Sequence, residues 1–268
     1  MIVNQWVPAA HRGDAIGDSA RRVMHLLRGM GHHSDIFAMT IDDDLRGEVR
    51  PFTDPDARQG DLTIFHFALV SAMTPAFASL PGGRVLQYHN VTPAHFFAPY
   101  EPGIFRLAEV YKRYVDSYYR FIFVGRYDGL PRYYAQIRAL IDRFQMLPDR
   151  FWFTGPVPDE DLGAFYRWAD VYVSLSEHEG FCVPLVEAMA ADVPVLAYAA
   201  GAVPETLGGA GVLFAPKDLE FAAEMLGMLV YDRPVREAVL DGQRRRLQAF
   251  APAAIDARLG EVLERITG

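Results

Sequence analysis

Residues Ser176–Thr206 read SEHEGFCVPLVEAMAADVPVLAYAAGAVPET, and the reading of this stretch decides the fold. The β-rich run Val171 to Leu175 before it predicts a buried strand ending at Ser176. A tight turn through Gly180 then leads into a helix with Pro184 near its first turn, where the missing N–H of proline costs nothing. Amides at such a helix start have no intrahelical partner and lie at the positive end of the helix dipole, so the turn predicts a site for an anion such as a diphosphate. Gly180 lets a ligand approach the main chain closely. Glu179 lies in the loop and Glu187 about a turn inside the helix. Two carboxylates would repel bare phosphate, but they accept strong hydrogen bonds from hydroxyls. They therefore suit a ligand that carries hydroxyls on both sides of its diphosphate, as a nucleotide sugar does with its ribose and hexose.

Outward from this segment, short β-rich runs alternate with amphipathic helical stretches, which is the pattern of parallel sheets covered by helices, and the fold class is α/β. One strand series is predicted at Ile2 to Val7, Ser34 to Ala38, Leu62 to Phe67 and Val85 to Tyr88. A helix capped by Asp18 or Ser19 and ended at Gly31 follows the first of these. A second series runs through Arg120 to Val124, Phe151 to Phe153, Val171 to Leu175, Val193 to Ala197 and Gly211 to Phe214. Leu162, Phe165, Tyr166 and Ala169 recur at helical spacing between two of them. Beyond Pro216 the chain reads as helix over Leu219 to Tyr231, Pro234 to Phe250 and Pro252 to Ile266. A helical run from Ile104 to Tyr119 separates the two series, so the expected division is 1–110 and 111–268.

With 268 residues and 51% hydrophobic content the chain can bury a core, and a net charge of -8 argues against broad binding to nucleic acid, which needs many cationic contacts to phosphate. The one cysteine, Cys182, requires no oxidising compartment and reads as a small packing group rather than a nucleophile. No apolar run reaches the ~18 residues of a spanning helix, and the first residues lack the layout of a signal peptide. The expectation is a cytoplasmic protein, with peripheral membrane contact left open. His32 and His33 beside Gly31 read as a helix end, and no His, Cys and carboxylate cluster points to zinc.

Other candidate ligand positions sit where strands end. HRGDAIGD, His11 to Asp18, follows the first strand, the usual place for a ligand loop in a parallel sheet, and it is not a GxGxxG fingerprint. In QYHNVTPAHFF, His89 and Asn90 follow another strand and so sit on the ligand side of the sheet; a ligand-facing histidine and a residue capping the Thr92-Pro93 turn weigh about equally there, with His95 as a second choice. Arg126 after Gly125 fits either a phosphate partner or a solvated loop.

The Glu179 and Glu187 pair, the strand ending in Ser176, the Gly180-Phe181 and Pro184 between the acids, the Val193-Pro194-Val195 strand and the Gly201-Ala202-Val203-Pro204-Glu205 loop together resemble the donor site of family 4 glycosyltransferases. The resemblance implies two Rossmann-like parallel-sheet domains facing a cleft, and retaining transfer of a hexose from a nucleoside diphosphate sugar to a carbohydrate or lipid-linked acceptor. It implies neither cofactor nor metal. Glu179 would meet the sugar, the backbone through Gly180, Phe181, Cys182 and Val183 the sugar and phosphates, and Glu187 the ribose. The strand and loop from Phe151 to Val157 resemble the segment that lines the nucleobase, which brings in Gly155 and Val157. Gly13 and Gly17 carry over as donor-side glycines, with Arg12 and Asp14 beside them, and His89 as the cleft histidine acting with Glu179 in catalysis. The family's Gly-Arg strand and its following Lys have no counterpart, since no Lys occurs between Lys112 and Lys217. That gap implies a shortened chain with a weaker diphosphate grip. It keeps open a catalytically silent module that binds a nucleotide or a partner chain. Exposed sheet edges would invite pairing with a second copy.

Overall fold

Continuous burial along β1 (Val3–Ala10) sets the architecture of the N-terminal half: five consecutive residues, Val3 to Val7, are inaccessible, including the polar Asn4 and Gln5. A strand covered on both faces belongs in the middle of a parallel sheet. In the computed structural model, which describes residues 1–12, 14–68, 71–89, 107, 119–125, 131–143 and 148–267, β1 holds that place. The chain divides into two compact units, one formed by Met1–Val91 with Ala251–Gly268 and one by Thr92–Phe250.

In the first unit β1 is followed by α1 (Ala15–Gly29), β2 (Ile36–Ile41), β3 (Val49–Pro51), β4 (Leu62–Phe67), α2 (Met73–Ala78) and β5 (Gly83–Tyr88). The sheet order is β3-β2-β1-β4-β5, with every pairing parallel. Trp6, Phe37, Phe65, Met73 and Phe77 fill one face. Val7, Ala20, Met24, Ile36 and Ala38 fill the face under α1. Trp6 also donates its indole N–H to the Ala57 carbonyl at 2.9 Å, so the ring is buried without an orphaned donor.

Three expectations change here. The helix cap is Asp14, not Asp18 or Ser19: its carboxylate accepts from the amides of Ile16 and Gly17 at 3.2 and 3.3 Å, and the helix starts several residues earlier than the apolar spacing alone suggests. The short strand β3 was passed over because three residues ending in proline carry no period to read. The last helix packs on the first unit rather than the second: Leu263, Leu259 and Ile266 meet Val3, Val23 and Leu27, and Arg22 bonds Asp256 at 2.8 Å. An amphipathic stripe says that a helix buries one face, not which core receives it. The units divide after Val91, and most of the expected helix 104–119 lies outside the described residues; Leu107 is buried in the core of the second unit.

The second unit contains β6 (Phe121–Val124), α3 (Pro131–Arg143), β7 (Phe151–Gly155), α4 (Asp159–Trp168), β8 (Tyr172–Ser174), α5 (Val183–Ala190), β9 (Val195–Tyr198), α6 (Val203–Leu207), β10 (Val212–Phe214), α7 (Leu219–Tyr231) and α8 (Arg233–Leu247). The helix closing the first unit is α9 (Pro252–Thr267). Strands β10-β9-β8 form one parallel sheet and β6-β7 another. Every predicted strand forms, with ends shifted by a few residues. Buried Gln243 on α8 ties down the entry to β9, accepting from the Val195 amide at 2.9 Å and donating to the Val193 carbonyl at 2.8 Å. No helix among the described residues is long and apolar enough to cross a membrane.

Candidate functional site

The loop after β8 is built as the sequence predicts, and its unusual point is Cys182. This residue caps α5 in the left-handed region (φ 57°), buried at 7% exposure, and no side chain caps the first turn. In that turn Pro184 has no N–H and the Leu185 amide donates to the Cys182 carbonyl at 3.0 Å, so the Val183 amide is the one that can meet an anion, with the helix dipole behind it. Phe181 and Val183, on either side of Cys182, are exposed.

A second loop holds this one in place. Gly201 takes φ +55° directly against the main chain of Glu179, so close that a Cβ would stand 2.4 Å from the Glu179 carbonyl oxygen. Ala202 donates its amide to that oxygen at 3.1 Å, and Thr206 donates its hydroxyl to the Phe181 carbonyl at 2.6 Å. Lys217 supports the base of the loop, donating to the Leu175 carbonyl at 2.8 Å and to Glu177 at 3.0 Å. The Gly201 to Glu205 motif thus has a mechanical reason: it is the brace of the loop that carries Glu179.

A neighbouring helix holds Glu187. Tyr166 on α4 donates its hydroxyl to Glu187 Oε2 at 2.8 Å, which leaves the other carboxylate oxygen for a ligand. Burial first, and then the field of the Glu179 carboxylate, push the Cys182 thiol up to about 12, so it stays protonated. Burial holds the Tyr172 hydroxyl protonated well above its ordinary range, and the fields of Cys182, Glu179 and Glu187 add to it. Burial and the bond to Glu187 likewise raise Tyr166. Neither tyrosine was singled out for this role from sequence. Tyr166 had been read only as part of a helical stripe, and a hydroxyl aimed at an acid twenty-one residues away leaves no local signal.

Among the remaining expected donor positions, Gly155 ends β7 with φ 74° and accepts from the Gly125 amide at 3.1 Å, and Val157 follows it half-buried. No direct bond joins either to the Glu179 loop among the described residues. Arg126 lies outside those residues. So do Gly13, Asn90 and His95.

In the first unit, Gly17 sits buried in the first turn of α1 with its amide held by Asp14. Arg12 is engaged by Asp44 through its side chain at 2.5 Å and by Asp42 through its amide at 3.1 Å. His89 stands at the carboxyl end of β5, its amide on the Phe67 carbonyl at 2.8 Å. Its Nε2 lies 3.1 Å from Nδ1 of His66, and His66 Nε2 lies 3.0 Å from Gln5 Oε1. His66 was not singled out from sequence, because a histidine inside a strand looks like any alternating residue.

Burial pulls His66 down to about 3, with His89 acting in the same direction. The ordinary histidine value is about 6.5, so the folded state binds the neutral ring. Its stabilisation is complete above that value and is lost as pH falls toward 3, amounting to roughly 2 kcal/mol by pH 5. The urea midpoint should fall between pH 7.5 and pH 5, and His66→Asn should flatten that fall; an equal slope in both proteins would refute the assignment. Among the described residues no group of three or more His, Cys, Asp or Glu side chains could hold a metal ion.

Two parallel-sheet units of this kind define the class. The fold resembles that of solved glycosyltransferases: one from Rickettsia africae (12% identity, TM-score 0.69, 99% of this chain and 98% of that one) and HepE of Anabaena in complex with UDP-glucose (15% identity, TM-score 0.65, 99% and 100%). The family model described as Glycosyl transferases group 1 matches residues 94–231, and the chain belongs to that family. Among curated proteins, an MMP alpha-(1->4)-mannosyltransferase of Mycolicibacterium hassiacum is 36% identical over 111 residues, which is 40% of this chain and 27% of that protein. Sulfoquinovosyl transferase SQD2 of Arabidopsis thaliana is 33% identical over 103 residues, 37% of this chain and 20% of that protein. The chain thus spans about a quarter of the length of these relatives in the matched stretch.

Proposed function

We propose that the protein transfers a hexose from a nucleoside diphosphate sugar to a carbohydrate or lipid-linked acceptor with retention, using the loop between β8 and α5 as its donor site. The observation that carries this reading is the braced loop itself: Gly201 and Ala202 hold the main chain of Glu179, Tyr166 holds Glu187, and no side chain caps the helix start between the two acids. In it Glu187 takes the ribose hydroxyls, Glu179 the hexose, the amides of Gly180 to Val183 the diphosphate, and Gly155 and Val157 the base. HepE, which shares the fold, was solved with UDP-glucose, and the matched relatives are named for mannosyl and sulfoquinovosyl transfer.

In the reaction the anomeric C–O bond to the diphosphate breaks and a bond from that carbon to the acceptor oxygen forms on the same face. The proton of the acceptor hydroxyl leaves with the diphosphate. Rate comes from donors already aimed at the charge that develops on the leaving group, and from holding both substrates in position. Arg126 is the basic side chain we assign to that charge, His89 is assigned to a substrate hydroxyl, and the reading uses neither metal nor cofactor. We place the reaction in the cytoplasm.

A second reading, a catalytically silent nucleotide-binding module, is favoured by one observation: no Lys lies between Lys112 and Lys217, and Lys217 is committed to Leu175 and Glu177. Calorimetric titration with UDP, GDP and ADP, paired with turnover of the matching nucleotide sugars, separates the readings. Transfer is expected with the donors of the nucleotide that binds. Binding without turnover over a broad acceptor panel supports the silent module, and binding of none of the three removes both.

A further inference from the structure

The first unit holds a line of polar groups that its fold does not require. Ser34, Gln5 and His66 are all inaccessible, on neighbouring parts of the parallel sheet, and the line ends at half-buried His89. Gln5 donates its amide nitrogen to Ser34 Oγ at 3.3 Å and turns its amide oxygen to His66 Nε2 at 3.0 Å. An amide oxygen only accepts, so His66 carries its proton on Nε2. Its Nδ1 is then a lone pair, and the ring nitrogen 3.1 Å away, Nε2 of His89, is the one that donates to it. The two rings lie nearly parallel, with centroids 5.4 Å apart and an interplanar angle of 22°. A buried polar chain of this kind is costly unless every member is satisfied, and here each step satisfies the next.

We infer that His66, backed by Gln5, is a positioning residue that fixes the tautomer of His89, leaving His89 Nδ1 as a hydrogen-bond acceptor for a hydroxyl of the substrate. The inference rests on the reading that His89 meets substrate, and it adds which ring atom does so and what it selects. A neutral ring with its lone pair on Nδ1 accepts from a sugar hydroxyl and rejects a phosphate oxygen or a carbonyl, which offer no proton. The direction of the chain matters, because reversal at Gln5 would turn Nδ1 of His89 into a donor.

The charged and titratable groups acting on the pair agree with a neutral state. Burial lowers both rings, and His89 further opposes protonation of His66 across the 3.1 Å contact. Asp14, after β1, acts on His89 in the other direction as the carboxylate on that side. Gln5 on β1 contributes no charge, so nothing behind His66 draws a proton onto it.

The test reads the rings directly in the ¹⁵N-labelled full chain. Long-range proton–nitrogen correlation across pH 5.5–8 should show His66 neutral and protonated on Nε2 throughout, and neutral His89 protonated on Nε2; signals are assigned by their loss in His66→Asn and His89→Asn. Gln5→Met, of similar volume but with no acceptor, should leave His89 as a mixture of tautomers, lower kcat roughly tenfold and leave donor KM unchanged. Gln5→Glu restores an acceptor at the same position and should restore the single tautomer. His89 protonated on Nδ1 in the unmodified protein overturns the inference, even if every variant fails to fold. So does a single unchanged tautomer in Gln5→Met. An intact Nε2 pattern in a protein that transfers no sugar supports the tautomer assignment while removing the transfer reading, so the two failures are told apart.

Discussion

Glu187→Ala is expected to lower the affinity for the nucleoside diphosphate that binds by roughly a hundredfold. A carboxylate that accepts from a ribose diol makes hydrogen bonds to a charged group, worth about 1.5–3 kcal/mol, and roughly 2.8 kcal/mol corresponds to a hundredfold change in dissociation constant. The helix start and its amides remain in the variant, so weak binding should persist through the diphosphate. Tyr166→Phe separates orientation from charge. It keeps the carboxylate and removes the 2.8 Å bond that aims it, so the expected loss is smaller, about threefold to tenfold. Calorimetry with the same nucleotide in all three proteins gives the ranking. Unchanged affinity in Glu187→Ala would remove Glu187 from the site and, with it, the reading of the loop as a donor site.

Gly201→Ala should cost the second unit about 3 kcal/mol in urea unfolding and abolish nucleotide binding with it. A residue with a Cβ loses roughly 1–2 kcal/mol in the left-handed region, and the remainder is the displacement of backbone that cannot give way cheaply. The new Cβ would lie 2.4 Å from the Glu179 carbonyl oxygen and 3.0 Å from its amide nitrogen, so accommodating it means moving the residue assigned to the sugar. Gly209→Ala is the control. Gly209 also has a positive φ, +86°, but a Cβ there meets nothing within 4 Å, so only the backbone term of about 1 kcal/mol applies. Equal losses in the two variants would show that the contact with Glu179 contributes nothing. Loss of stability in Gly201→Ala with normal nucleotide affinity would show that the loop keeps its form without the brace.

The loop between β8 and α5 was legible as a strand, turn and helix start because its signals are local. Gly180, Pro184 and the acids at Glu179 and Glu187 lie within a few residues of one another, and the turn, the helix start and the carboxylate spacing are all short-range geometry. The strands were legible for the same reason: runs such as Leu62 to Phe67 are short, β-branched or aromatic, and bounded by turn residues. The cap of α1 was misplaced by the same kind of reasoning. Apolar spacing marks the middle of a helix better than its end, and only the bonds from Ile16 and Gly17 to Asp14 show where it starts.

Sequence by itself therefore determined the α/β class, the places of most strands along the chain and the loop with its two acids, since each depends on side chains close along the chain. Tertiary structure decided the groups that act on those acids and on His89. Tyr166 meets Glu187, Gly201 meets Glu179, His66 meets His89 across 23 residues, and Gln5 meets His66 across 61. It also decided that Leu263 of the final helix joins Val3 near the start of the chain. Contacts at such separations depend on strand order and on which face of a helix finds which core, and periodicity carries no information about either.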